Sequence, residues 1–158
     1  MYSSPMITKL FTDGSVNPQK KLGFGAYLTV SDDGKTSDVK LKKFHQTSST
    51  QLEVETLLWA LEDISVESTL TIYTDCQNIL GLASRREGFE KNDYHTKTGK
   101  LLKHAELYKK FFVVTDRVDC EFVKVKGHKK SHLKDEIDRL FTLVDKASRD
   151  ALRAESSL

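Results

Sequence analysis

Cysteine occurs only twice, at Cys76 and Cys120, in a chain of 158 residues. Two thiols build no disulfide framework, and no Cys/His spacing matches a zinc site, so reduced thiols and a cytoplasmic location are expected. No apolar run approaches the roughly 20 residues that cross a bilayer, so no membrane partner is expected. The opening residues Met1-Tyr2-Ser3-Ser4-Pro5 lack the charged start and hydrophobic stretch of a secretory signal. An excess of one charge is missing too: the formal net charge is +2. Bulk electrostatics therefore names no partner. What remains is a globular composition, 38% hydrophobic and 30% charged. With no repeat and no linker in sight, it fits a single domain over residues 1–158 around one core, expected as a monomer.

The local distribution of charge says more. Basic residues gather at Lys40, Lys42 and Lys43, at Arg85 and Arg86, from Lys91 through Lys97, Lys100 and Lys103, and from Lys124 to Lys134. Such clusters suit phosphate contacts, although solvated faces would look the same.

Hydrophobic patterning divides the chain into elements. Met6 to Thr12 reads as a buried strand ending at Asp13-Gly14-Ser15. Gly23 to Val30 is a second strand, Ser31-Asp32-Asp33-Gly34 a turn, and Thr36 to Gln46 the returning third strand. Thr47 to Thr50 offers N-caps for a helix carrying Leu52, Leu57, Leu58, Leu61 and Ile64. Leu70 to Thr74 is a strand ending at Asp75, and Gln77 to Ala83 a short helix. Ser84 to Gly99 has no clear period and is expected as a loop. Leu101 to Phe112 is helical, Cys120 to Lys126 is a fifth strand, and a last helix carries Ile137, Leu140, Phe141, Val144 and Ala151. The sole tryptophan, Trp59, is expected in the core. This order suggests a mixed sheet with helices packed on it.

Asp13 and Asp75 each close an apolar strand. Carboxylates at neighbouring strand ends repel when both are ionised, and a divalent cation with hard oxygen ligands would neutralise them. A turn or cap role for each competes with that reading. Glu53, in the first turn of the long helix, is equally explained as the partner of a Thr50 N-cap in a capping box.

Taken together, Thr12-Asp13-Gly14-Ser15, Leu52-Glu53 leading to Ala60-Leu61-Glu62, Tyr73-Thr74-Asp75-Cys76-Gln77 and Val125-Lys126-Gly127-His128 resemble the type I ribonuclease H family in order, spacing and underlying element. The resemblance covers roughly residues 7 to 153. It implies an α/β ribonuclease H-like fold: a five-stranded mixed sheet, its first three strands antiparallel, with helices on both faces. It also implies that Asp13, Glu53 and Asp75 hold two Mg2+ ions, with Mn2+ as a substitute. One ion would activate water for in-line attack, and the other would stabilise the leaving 3′ oxygen. His128 matches the family's loop histidine, suited to proton transfer or product release.

The resemblance places a fourth acid on the last helix. Asp138 and Asp145 stand seven residues apart on one flank, so periodicity does not separate them. Asp145 is preferred because Asp145-Lys146-Ala147-Ser148-Arg149 carries the longer match. The implied partner is an RNA–DNA hybrid, whose RNA strand is cleaved to leave 5′-phosphate and 3′-hydroxyl ends. Asn17 and Gln77 match minor-groove contacts, and Gly14, Ser15, Ser48 and Ser49 complete the expected substrate-binding set. The family often has a threonine and two asparagines where Ser48-Ser49-Thr50 stand, so amide donors are missing there. The alternatives are a DNA-cutting nuclease of the same fold and a catalytically weak hybrid-binding module. Asp13-Gly14-Ser15 lacks the Asp-x-Glu pair of exonucleolytic relatives, and none of the first three acids is replaced.

Overall fold

The computed structural model describes residues 7–64, 69–126 and 135–156. Five strands form one sheet in the order β3-β2-β1-β4-β5. They are β1 (Ile7–Asn17), β2 (Leu22–Val30), β3 (Lys40–His45), β4 (Thr69–Thr74) and β5 (Cys120–Lys124). The first three pair antiparallel, whereas β1–β4 and β4–β5 are parallel. The helices are α1 (Ser49–Asp63), α2 (Gln77–Lys91), α3 (Ala105–Arg117) and α4 (Glu136–Ser156). None is long and apolar enough to cross a membrane among the described residues.

Strand alternation sends successive side chains to opposite faces of the sheet. Leu10 on β1 joins Leu57, Leu61, Leu82 and Phe111 in the core under α1, α2 and α3. Its neighbour Phe11 joins Ala26, Leu28, Leu140, Phe141 and Val144 under α4. Helices therefore cover both faces, as the resemblance implies. Trp59 is only partly buried, with its ring edge-on to Tyr27 at 4.9 Å and to Phe44 at 6.3 Å.

Several boundaries differ from the sequence reading. β1 does not end at Asp13 but continues to Asn17, with Asp13 paired to Ala26 and Gly14 to Gly25. Gly14 serves close packing rather than a turn, because a Cβ there would stand 3.0 Å from Leu52 Cδ2. The third strand is shorter than Thr36 to Gln46, with Thr36 reduced to an isolated bridge to Val30. Helix α1 is capped by Ser48, whose Oγ accepts from the Gln51 N–H at 3.3 Å, and not by Thr50. Glu53 therefore lies past the third helical position, and the capping-box explanation for it falls away.

The largest difference is α2, which extends to Lys91 through residues expected as a loop. Only Ile79 and Leu82 of this helix are buried, so it carries no apolar period to detect. Its second half is held by Arg86. That guanidinium makes a bidentate pair with Asp116 of α3 (2.6 and 2.7 Å), bonds Glu90 at 2.8 Å and lies over the Phe112 ring. The chain then reverses through Asp93 and Tyr94, both with positive φ (50° and 59°). Tyr94 packs on Phe89, which stacks on Tyr108 at 5.5 Å, an arrangement that offsets the strain of two left-handed residues. Helix α3 starts at Ala105 rather than Leu101 and ends at Arg117.

Candidate active site and metal centre

The parallel β1–β4 ladder ends at Phe11 opposite Tyr73. Asp13 and Asp75 each follow two residues later, so the register sets them side by side where the two strands part. Adjacent strands lie about 4.8 Å apart, which brings carboxylates in matching positions close together. In an open sheet with parallel strands, this parting at the carboxyl ends is where ligands bind.

Glu53 comes to the same place from α1. Leu52 beside it packs over two glycines, and a Cβ on Gly23 would stand 2.7 Å from Leu52 Cδ2. Deeper along the helix, a Cβ on Gly25 would stand 2.2 Å from Thr56 Oγ1. The missing side chains let α1 approach the sheet closely enough for Glu53 to reach the strand ends. Carboxylate oxygens of Asp13, Glu53 and Asp75 then lie within 4.8 Å of one another.

Such crowding is electrostatically costly. Asp13 is 5% exposed. Burial, then the charges of Glu53 and Asp75, then a hydrogen bond with Asp145 push its carboxyl up to about 9. Burial, followed by the charge of Asp75, pushes Glu53 up to about 8. The backbone N–H of Gly14 pulls both the other way. Glu53 Oε2 is buried and meets no hydrogen-bond partner among the described residues. An unpartnered carboxylate oxygen facing two others is a donor set suited to a hard divalent cation. The residues present fit Mg2+ or Mn2+.

The two C-terminal candidates separate clearly. Asp138 is buried at the start of α4, where its Oδ2 accepts from the Asp135 N–H (3.2 Å) while its own N–H donates to Asp135 Oδ1 (2.9 Å). This reciprocal pair is an N-terminal capping arrangement. Asp145 stands close enough to Asp13 to raise its carboxyl and takes a bond from Arg149 Nη2 at 2.8 Å, but among the described residues it lies outside the three carboxylates that converge within 4.8 Å. His128 lies outside the described residues.

The remaining expected positions spread around this centre. Ser15 Oγ lies 3.1 Å from Ser148 Oγ on α4. Asn17 Oδ1 accepts from the N–H groups of Gln19 and Lys20 (3.1 and 3.2 Å), shaping the β1–β2 turn. Ser48 and Ser49 line a cleft of about 370 Å³ with Lys21, Gln46 and Lys103. Gln77 is exposed at the first position of α2, next to Asp75. Of the basic clusters, Lys91, Lys97, Lys100 and Lys103 are exposed. Lys43 instead pairs with Glu155 of α4. Sequence reasoning missed Thr56, Ser148 and Arg149. Only Ser148 and Arg149 carried a signal, their helical spacing of three and four from Asp145.

Comparison with known proteins agrees with this geometry. The RNase H family matches over residues 6–148. The chain belongs to the RNase H family. It is accordingly a nuclease of the hydrolase class, in a family whose general property is metal dependence. A Bradyrhizobium diazoefficiens protein named Ribonuclease H is 30% identical over 131 residues, covering 81% of this chain and 82% of its own length. Ribonuclease HI of Haemophilus influenzae is 29% identical over 127 residues, covering 78% of this chain and 80% of its own length. Among solved structures, the prototype foamy virus protease–reverse transcriptase shares the fold, with a TM-score of 0.74 at 15% identity over 95% of this chain. This chain spans 21% of that one.

Raised carboxyls make cation binding a proton-releasing event. Between pH 6 and 8, where Asp13 and Glu53 are held protonated, the apparent Mg2+ affinity of this RNase H-family chain is expected to climb. The gain is about tenfold per pH unit for each proton displaced. Isothermal titration in two buffers of different ionisation enthalpy counts those protons. An affinity that stays flat across this range would show that binding displaces no proton from either acid.

Proposed function

We propose that this chain is an endonuclease that hydrolyses the RNA strand of RNA–DNA hybrids with two Mg2+ ions, for which Mn2+ can substitute. The observation that carries the reading is the convergence of Asp13, Glu53 and Asp75 within 4.8 Å. The presence of all four acids speaks against a hybrid-binding module that has lost catalysis. Asp13, Glu53, Asp75 and Asp145 would hold the ions, which would supply activation of a water for in-line attack and stabilisation of the leaving 3′ oxygen, giving 5′-phosphate and 3′-hydroxyl ends.

The residues of the chain supply the rest. Asp13 and Glu53 give up their protons when cations enter, and Gly14 directs its N–H toward both carboxylates. Asp75 and Asp145 complete the ligand set. Ser48 and Ser49 in their cleft and the exposed Gln77 supply the polar groups to read a 2′-hydroxyl, the group that separates RNA from DNA. Gly14, Ser15 and Asn17 continue that surface along β1. The exposed lysines from Lys91 to Lys103 suit the phosphates of the opposite strand. His128 serves proton transfer or product release.

Cleavage of a hybrid labelled on its RNA strand, in Mg2+ or Mn2+, tests the assignment, with duplex DNA of the same sequence as comparison. RNA-strand products with spared duplex DNA are expected. Equal cutting of both would favour a DNA-cutting nuclease of this fold.

The assignment of the fourth acid has its own test. Asp145→Asn is expected to lower turnover by roughly 10²–10³-fold, the scale of removing one electrostatic partner of a transition state. Asp138→Ala is expected to keep activity and lose about 1 kcal/mol of stability with its capping bonds. The opposite pattern in paired activity and urea-unfolding measurements would exchange their roles.

A further inference from the structure

Helix α4 lies on β1 and β2 mainly through an apolar cluster, Phe11 and Leu28 against Leu140, Phe141 and Val144. Apolar packing is non-directional and does not by itself fix the position of a polar group at its edge. A carboxylate that must meet others within a few ångströms needs a directional contact to fix its position. Ser148 is fully buried against β1. Its Oγ donates to the Asp145 carbonyl at 3.1 Å and stands 3.1 Å from Ser15 Oγ. With its one proton committed to the Asp145 carbonyl, the Ser148 hydroxyl accepts from Ser15.

The two hydroxyls repeat the spacing of the acids. Ser15 follows Asp13 by two along a strand, and Ser148 follows Asp145 by three along a helix, so each shares a face with its acid. The Ser15–Ser148 bond thus lies one step along β1 and α4 from the place where Asp145 approaches Asp13. The strand step is about 6.7 Å and the helix step about 4.5 Å. Shifting α4 far enough to remove Asp145 from Asp13 breaks the serine rung and leaves the fully buried Ser148 hydroxyl without its partner on β1.

We propose that Ser15 and Ser148 are positioning residues. Their hydrogen bond sets α4 on β1 so that Asp145 stays in reach of Asp13, and the pair thereby governs affinity for the divalent ion that Asp145 helps to hold. The inference rests on Asp145 being a metal ligand, as proposed above.

Mn2+ binding to the full chain, followed by calorimetry and by the electron paramagnetic resonance of free Mn2+, tests it in wild type, Ser15→Ala, Ser148→Ala and the double variant. Each single variant is expected to weaken the lower-affinity ion by roughly tenfold, the lower end for groups that orient metal ligands. The double variant is expected to be no worse than the weaker single, because the two hydroxyls act as one contact. Thermal melts without metal separate positioning from loss of folding. If Ser148→Ala lowers the folded fraction, Ser15→Ala at the more open end of the contact carries the same comparison. Unchanged affinity in both single variants, or losses that add in the double, would overturn the proposal and leave the metal centre standing. A wild-type chain that binds no Mn2+ would remove the metal centre and this inference together.

Discussion

Replacing Asp13 with asparagine is expected to stop turnover and, in the absence of metal, to make the protein more stable. The two effects have one cause. Asp13 is buried among Glu53, Asp75 and Asp145, and its carboxyl sits at about 9 instead of its ordinary value of 3.8. A carboxyl raised by folding costs nothing below its unfolded value. Its penalty grows as pH rises from about 4 and levels off near 9. Asparagine keeps the shape and never ionises, so the gain should be near zero at pH 4. At pH 8 it should reach about 1–3 kcal/mol, the scale of a buried acid held away from its preferred charge state. Adding Mg2+ should reverse the order. The wild type gains about 2.7 kcal/mol at a hundredfold excess over its dissociation constant, and the variant gains little. Thermal melts at two pH values, with and without Mg2+, read all four numbers beside the hybrid-cleavage rate. An asparagine variant that melts lower at pH 8 without metal would contradict the account of a crowded acidic centre, and retained cleavage would remove Asp13 from it.

The second large effect concerns a residue that touches no substrate. Gly25→Ala places a methyl group 2.2 Å from Thr56 Oγ1 and 2.8 Å from Thr56 Cγ2. Thr56 is fully buried and β-branched, and a helix leaves such a side chain few rotamers. The backbone of α1 must therefore lift from the sheet, and Glu53 rises with it. A loss of about 1–3 kcal/mol is expected from overpacking, together with a fall in cleavage rate beyond what the unfolded fraction explains. Thr56→Ala in the same chain clears the space and should restore much of both. Gly88→Ala provides the contrast: nothing lies within 4 Å of a Cβ there, and it sits inside α2. It should gain about 0.5–1 kcal/mol from helix propensity alone. Urea titration of the four proteins gives the comparison, and a Gly25→Ala protein as stable as wild type would show that α1 has room to spare.

These glycines also mark what could be read from the amino-acid order. Apolar alternation revealed the strands because each sheet face is covered: Leu10 and Phe11 point to different cores, and both are fully buried. Gly14 was legible only as a break, since the same residue type serves a turn and a close helix approach. Only the third dimension places Leu52 above it. The second half of α2 was hidden for the opposite reason. Arg85 to Lys91 is polar, and what keeps it helical is a set of contacts to Asp116 and Phe112, distant in sequence. Thr50 and Ser48 are both good caps on chemistry alone, and hydrogen bonding to Gln51 selects Ser48. What distinguishes Asp138 from Asp145 is Asp135, whose reciprocal bonds engage Asp138 at the helix start and which no local pattern pointed to. The acids of the first three motifs were legible as residues. Their electrostatic burden was not, because it arises from burial that no local pattern encodes.

The proposed centre draws its acids from β1, from α1, from the end of β4 and from α4, and so from nearly every stage of chain growth. Ribosomes release a protein from its N-terminus, and domains form as their segments emerge. A nascent chain that has completed the sheet through β5 already holds Asp13, Glu53 and Asp75, but not the helix that brings Asp145. Helix α4 also closes the core over Phe11 and Leu28, so the second face of the sheet and the placing of Asp145 are completed together when α4 emerges.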